Sequence, residues 1–596
     1  MAELKKHSEQ ETVLTWDLTM IYPDSDAWEK EFSTLDALQE KFLEFKDRLG
    51  ESPENLLHAF EADDALSLVM ERLYVYAHLK ADEDTGDSAA RARMERISAK
   101  GAEISGNCSW FQPELLAMDE DRFDSFRKDK VLSFYRRTLD DIAEERPHTL
   151  SAPEERILSM ASDVLSAPHK AFSLLNDADM RFPTITDADG QKTELTHGNF
   201  IKFLECPVRA VRKEAFSGMY DTYAGFKNTF SSLLNSNVKT AVLEAGLRSF
   251  PSALEASLFE DKVPKAVYEN LIGSIHSHIS SIHRYFALRA RKLGLEKLDM
   301  FDLHTPLLPE CRMEIPWDEA KKQVDESLHI LGKEYHSAIG QAFQNRWIDI
   351  PECRGKRSGA YSSGCYGTPP YILLNYADTL DSVFTLAHEL GHTMHSYFSD
   401  RNQAFHYASY KIFVAEVAST TNELLLHHYL LEKTDDPKTR AYLLNHLADE
   451  FRGTVFRQTM FAEFERDIHS LAEEDTPLTA DLLSEKYFQL NQFYHGDAVA
   501  PDDRIRYEWS RIPHFYYGFY VYKYATGFSA AAALSRKIIA GETEPYMRFL
   551  KAGNSKDVLD IMKDAGVDFL NGDPVGDALR LFDETVDQLG DALKEV

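Results

Sequence analysis

A chain of 596 residues, 43% of them apolar and with a formal net charge of −32, is long enough for two or three packed subdomains. Its acids run along the whole length rather than in one tail, which argues for a solvated surface and against a nucleic-acid partner gripped through phosphate. The five cysteines, Cys108, Cys206, Cys311, Cys353 and Cys365, are scattered and never form C-x-x-C, which predicts reduced thiols and excludes a disulfide framework or a cysteine zinc module.

The opening residues, MAELKKHSEQETVLTWDL, lack the apolar core of a secretory signal, and nowhere do the roughly 20 apolar residues of a membrane span run together. A cytoplasmic protein with no membrane partner is expected. Residues 27–50, AWEKEFSTLDALQEKFLEFKDRLG, space their apolar residues by three and four among strong helix formers and read as helix. At residues 181–200, RFPTITDADGQKTELTHGNF, alternation around an Asp-Gly turn predicts a short hairpin and a place to divide the chain. Residues 356–376 hold glycines, serines and Pro369-Pro370, which forbid helix before a buried strand at Tyr371–Leu374. Asp378 or Thr379 then caps a helix over 379–398. Helical spacing returns over residues 440–474, and no fixed-period repeat or low-complexity tract interrupts a mainly α chain.

The 379–398 helix carries TLAHELGHTMH, residues 385–395. His388 and His392 stand one turn apart, so both imidazoles can reach one ion, about 2.0–2.1 Å from each nitrogen in a zinc site. Glu389 is rotated to the flank: poorly aligned as a third ligand, well placed to take a proton from water and return it to a leaving amine. A third ligand is needed. The metzincin pattern wants glycine at 395 and histidine at 398, but His395 and Phe398 stand there. Glu416, an acid in the small and apolar start of FVAEVASTTNELLLHHYLLE, residues 413–432, is the choice for a His₂Glu site. Thr420 and Glu423 share its face and are candidates to hold an imidazole N–H, although Glu423 reads equally as a solvent-facing charge. Phe384, Leu386, Leu390 and Met394 read as core, His395 as a structural histidine, and the histidines at 276–283 and 427–430 as no metal site.

Two more stretches carry double readings. In RIPHFYYGFYVYKYATGFSAAAAL, residues 511–534, a helix entered after Pro513 places Tyr517, Tyr520 and Tyr524 on one face at 100° per residue, with His514 at its edge. Such a stripe is either core packing or a wall of donors for an oxyanion and substrate carbonyls. The stretch Gly359, Ala360, Tyr361, Ser362, Ser363, Gly364 is either a surface hairpin or an edge on which an extended peptide is laid by main-chain hydrogen bonds. Cys365 is an incidental thiol.

Taken together, GAYSSG, DSVFTLAHELGHTMHSYF, FVAEVASTTNE and RIPHFYYGFYVYKYATG, in that order, resemble the thimet-oligopeptidase family of zinc peptidases, in its oligoendopeptidase F branch. The resemblance implies a helical, two-lobed peptidase with a deep substrate channel and a short edge strand beside the metal helix. It divides the chain into an N-terminal helical region at 1–114, an oligopeptidase F-type domain at 115–204, a catalytic domain at 205–585 and a tail at 586–596. It implies one zinc ion on the residues matching His388, His392 and Glu416, Glu389 as general base, and His514 with the nearby tyrosines on substrate and oxyanion. The spacing from His514 to its tyrosines is shorter than in the mammalian-type branch, so which phenol does what stays open. Thr420 stands where a thermolysin-like site has an acid.

The expected activity is endopeptidase cleavage of short oligopeptides. Two alternatives are a helical zinc carboxypeptidase, for which Arg511 is the candidate clamp on a terminal carboxylate, and a peptide-binding protein without turnover, which Glu389 argues against. Oligomeric state is left open.

Overall fold

Residues 27–50 fold as two helices, Ser25–Phe32 and Leu35–Leu43, rather than one. The Ser33 and Thr34 hydroxyls bond back to the Lys30 and Glu31 carbonyls, 2.7 Å each, offering the backbone an alternative to the helical ladder. The computed structural model describes residues 4–309 and 313–596. Cys311 lies outside the described residues; Cys108, Cys206, Cys353 and Cys365 are free thiols.

Helices dominate, with seven short strands among the described residues: β1 Thr184–Thr186, β2 Lys192–Glu194, β3 Leu298–Asp299, β4 Ile348–Pro351, β5 Tyr361–Ser363, β6 Tyr371–Tyr376 and β7 Val499–Ala500. β1 and β2 form the antiparallel hairpin expected at 181–200, in register Thr184↔Glu194. Its turn is closed by the Asp187 carboxylate, which accepts from the Asp189 and Gln191 N–H groups. β3 pairs with β7 in parallel. The remaining sheet has the order β4-β6-β5, with β4 parallel and β5 antiparallel to β6. β6 is the predicted strand, two residues longer than Tyr371–Leu374, and its first four residues are buried. No helix among the described residues is long and apolar enough to cross a membrane.

The described chain divides into two compact units. The first comprises Met1–Ala152, Met313–Leu426 and Leu534–Gly566. Part of its core, from Leu49, Leu56, Phe60 and Leu115 to Tyr135 and Leu139, is contributed by one stretch near the N-terminus. The second comprises Pro153–Arg312, His427–Ala533 and Val567–Val596, with Phe451, Phe456 and Phe528 gathered around Phe582 and one another at 4.6–5.3 Å between ring centroids.

Candidate active site

The Thr379 hydroxyl, accepting from the Ser382 N–H, caps the histidine helix Leu380–Asn402. Asp378, the other candidate cap, lies at φ +52° just before it. The helix runs to Asn402 rather than ending at 398, because nothing between the two positions breaks it. Against it lies the helix Ile412–Lys433, which carries Glu416. Gly391 permits the approach: a Cβ there would stand 2.4 Å from Ser419 Cα and 2.6 Å from the Ala418 carbonyl oxygen, nearer than packed atoms come. The Asn422 side chain then donates to the Ala387 carbonyl, 3.1 Å, while accepting from Tyr335 Oη, 2.9 Å. The sequence reading overlooked Gly391, although a glycine interrupting a strong helix pattern is itself a sign of close packing.

This brings His388, His392 and Glu416 together, with one ligand atom from each lying within 4.8 Å of the others. His388 Nε2 and His392 Nε2 are 3.1 Å apart, and Glu416 Oε2 is 3.4 Å and 3.5 Å from them. Ser419 Oγ steadies that carboxylate at 3.1 Å. Glu423 Oε1 lies 3.2 Å from His388 Nδ1, fixing which imidazole nitrogen faces the cluster. Thr420, the other candidate, is buried and makes no side-chain hydrogen bond among the described residues.

The electrostatics of the cluster are those of a cation hole. Burial opposes charge on His388, yet Glu423, Glu389 and Glu416 hold its pKa up at about 9. The hydrogen bond from His392 keeps Glu416 at about 2 despite its burial. Groups that draw a proton onto an imidazole in this way suit a divalent cation in the same place. Glu389 is buried, with Oε2 lacking any hydrogen-bond partner among the described residues, and burial raises its carboxyl above the usual range against the pull of the two imidazoles. His395 takes no part. It is 1% exposed and stacks on Tyr410 at 3.7 Å, and burial lowers its pKa to about 3.

Of the peptide-edge candidates, Tyr361 and Ser362 lie on β5, which pairs with β6 and forms an edge of its sheet. Gly359 and Ala360 precede the strand, Gly359 at φ +86°. Ser362 Oγ bonds Thr393 Oγ1 at 2.8 Å, tying the edge to the residue after His392. Tyr361 Oη donates to Asp82 at 2.8 Å.

His514, Tyr517, Tyr520 and Tyr524 belong to the second unit, and the continuous helix expected after Pro513 does not form. A single 3₁₀ turn, Pro513–Tyr516, gives way to a left-handed pair, Gly518 at φ +66° and Phe519 at φ +55°, and the α-helix begins at Tyr522. Glu465 stabilises this turn by accepting from the Phe519 N–H at 2.7 Å. The turn still gathers the rings: Tyr517, Tyr520 and Tyr524 lie 5.7, 6.3 and 6.0 Å from the His514 centroid. Tyr524 Oη and His514 Nε2 are 3.4 Å apart. Tyr516 and Tyr522 are buried, whereas Tyr517 is 52% exposed. Neither Glu465 nor the turn it holds was anticipated, since the pair is 54 residues apart. In the 276–283 run, His276 meets Glu463 at 2.8 Å and His283 the Phe493 carbonyl at 2.9 Å.

Residues 202–581 match the model of peptidase family M3, and residues 114–182 that of oligopeptidase F. Oligopeptidase PepF of Bacillus subtilis (strain 168) is 44% identical over an alignment covering 100% of this chain and 90% of its own. The crystal structure of oligoendopeptidase-F from Enterococcus faecium is 38% identical, covers 96% of this chain and 100% of that one, and gives a TM-score of 0.74. A crystal structure from Chlamydophila abortus, 35% identical over 99% of this chain and 100% of that one, gives 0.93. With its mostly helical fold and small sheets, and with relatives along its full length, this chain belongs to peptidase family M3, in the oligopeptidase F group.

Proposed function

We propose that this protein is a zinc metalloendopeptidase that hydrolyses internal bonds of short oligopeptides. The observation that carries the reading is the convergence of His388, His392 and Glu416, their ligand atoms within 4.8 Å of one another, beside a buried Glu389 oxygen without a partner. Two imidazoles and one carboxylate form the donor set that zinc takes in hydrolytic sites. When bound, the ion supplies Lewis acidity, drawing charge from the scissile carbonyl and making a water acidic near neutral pH.

The protein's own residues do the rest. Glu389 takes the proton from the attacking water and passes it to the leaving amine. Burial raises its carboxyl above the usual range, which makes the carboxylate a stronger base toward water than an exposed glutamate would be. Glu423 orients His388 through Nδ1 and Ser419 orients Glu416. β5 supports the peptide backbone at its edge, through Gly359, Ala360, Tyr361 and Ser362. His514, Tyr517, Tyr520 and Tyr524 donate hydrogen bonds to the substrate and to the oxyanion. The relatives' names point to oligopeptides as substrates, and we place the protein in the cytoplasm.

An oligopeptide blocked at both ends tests this. We expect internal cuts by mass spectrometry, lost after chelation and restored by zinc. A protein that spares the blocked peptide and trims only a free C-terminus is the carboxypeptidase instead.

A further inference from the structure

The long helical stretch Pro437–Glu473 is broken in the middle by a π-turn, Phe451–Phe456, a distortion common where a helix serves a site. The turn and the residue following it carry Arg452 and Arg457 toward a cavity of about 160 Å³, also lined by Arg511, Glu508, His304 and His495. The space corresponds to roughly five water molecules at their share of liquid volume, and its wall is mixed, with the guanidiniums set among apolar side chains such as Phe200, Phe286 and Ile505, unlike the purely apolar voids that stay dry.

The charges around it do not balance. Arg457 is paired with Glu508 at 2.8 Å, and Glu508 also accepts from Tyr220 and Tyr487. Arg452 and the fully buried Arg289 share Asp449, at 2.9 and 3.4 Å. Nearby Asp302 is occupied by Arg209 and Arg212, 2.8 Å from each. Arg511 donates to Tyr220 Oη at 3.3 Å and faces the Phe200 ring at 5.0 Å; Glu508, already held by Arg457, acts on it only from beyond ion-pair reach. Four guanidiniums therefore meet two carboxylates, an excess of two positive charges inside a chain whose net charge is −32. Uncompensated charge costs more the deeper it lies, and here Arg289 is fully buried while Arg452 and Arg457 keep 15% and 33% of their side-chain surface. The cavity also has neutral donors to spare. His304 has no hydrogen-bond partner among the described residues, and burial together with Arg452 and Arg457 holds its pKa near 3. His495 is anchored by Nδ1 on the Asn491 carbonyl at 2.9 Å.

We infer that this cavity is a binding site for a small inorganic anion, of the halide or phosphate kind, held chiefly by Arg511 with Arg452 and His304. The anion neutralises the guanidinium cluster. Because Arg511 stands three residues before His514, it also steadies the start of the segment that carries His514 and the tyrosines. The site is independent of the peptidase reading, and its test is one of binding.

Thermal unfolding of the full chain in sodium bromide, sodium phosphate or sodium gluconate at matched ionic strength separates anion from salt. Tm is expected to rise by about 1–2 °C for each tenfold increase in bromide or phosphate above its Kd and to stay level in gluconate, whose anion is too large. The arm that responds identifies a halide or an oxyanion. Crystals soaked in bromide should show one anomalous peak in the cavity. In Arg511→Met the peak and the Tm response disappear, while stability in gluconate rises; Arg452→Met serves if that variant fails to fold. Equal Tm in all three salts, or a response undiminished in both variants, overturns the site.

Discussion

Glu389 differs from every other acid near the histidines in having nothing to bond. Glu416 has His392 and Ser419, and Glu423 has His388, while Glu389 Oε2 is buried and unsatisfied. A buried acceptor left open costs stability, so its retention points to a partner that arrives with the reaction. Glu389→Gln keeps the shape and removes the proposed base. We expect kcat to fall by about 10²–10⁴-fold with the bound metal, measured by elemental analysis, unchanged; a variant that turns over normally removes Glu389 from the mechanism. At this scale the sequence was most legible. Spacing alone placed His388, His392 and Glu389, and an acid in an apolar helix start pointed to Glu416. Gly391 was hidden because what it accommodates, Ser419, comes from another helix, and single-residue patterns do not encode the neighbour.

Among elements, the contrast between the two helices of the first unit and the tyrosine turn of the second is instructive. The histidine helix is defined by local signals, a capping hydroxyl and unbroken formers, and its contact with the Glu416 helix is set by one missing Cβ. Gly391→Ala should force the pair apart, lowering stability by about 1–3 kcal/mol and weakening zinc affinity, as read by thermal unfolding and chelator competition; unchanged values in both would show that the pair has room. The segment after Pro513 obeys a distant residue instead. Its helical pattern is overridden at Gly518 and Phe519 by Glu465, so the periodicity placed the tyrosines correctly as neighbours but for the wrong reason. Burial raises the Glu465 carboxyl to about 8 from a usual 4.5, with the Phe519 N–H pulling the other way. A group raised in the folded state contributes stability that is complete below its unfolded pKa and is lost as pH climbs toward the folded one. Glu465→Gln, always neutral, should gain on the wild type in Tm as pH rises from about 5 to 8. A difference that stays constant across that range would mean the carboxyl does not titrate there.

The whole molecule is strongly acidic, and its charge is a statement about encounter rather than fold. Peptides rich in lysine or arginine should be cut with a kcat/KM that falls steeply as salt is raised, while uncharged peptides of equal length change little; identical salt profiles would show that the field is not felt at the site. Composition could not reveal how the chain is partitioned, because each unit is assembled from three separated segments and contact between remote stretches leaves no local trace. That interleaving bears on synthesis. The cluster from Leu49 to Ile142 is contiguous and can condense early, but the first unit also needs residues 534–566, from which Phe549 packs over His395 at 4.8 Å and Tyr546 reaches the Ala418 carbonyl. A nascent polypeptide leaves the ribosome at about 5–20 residues per second, so both imidazoles and their carboxylate emerge well before the layer that seats them. Until residues 534–566 emerge, the histidine helix therefore lacks the aromatic cover that Tyr546 and Phe549 supply in the finished unit.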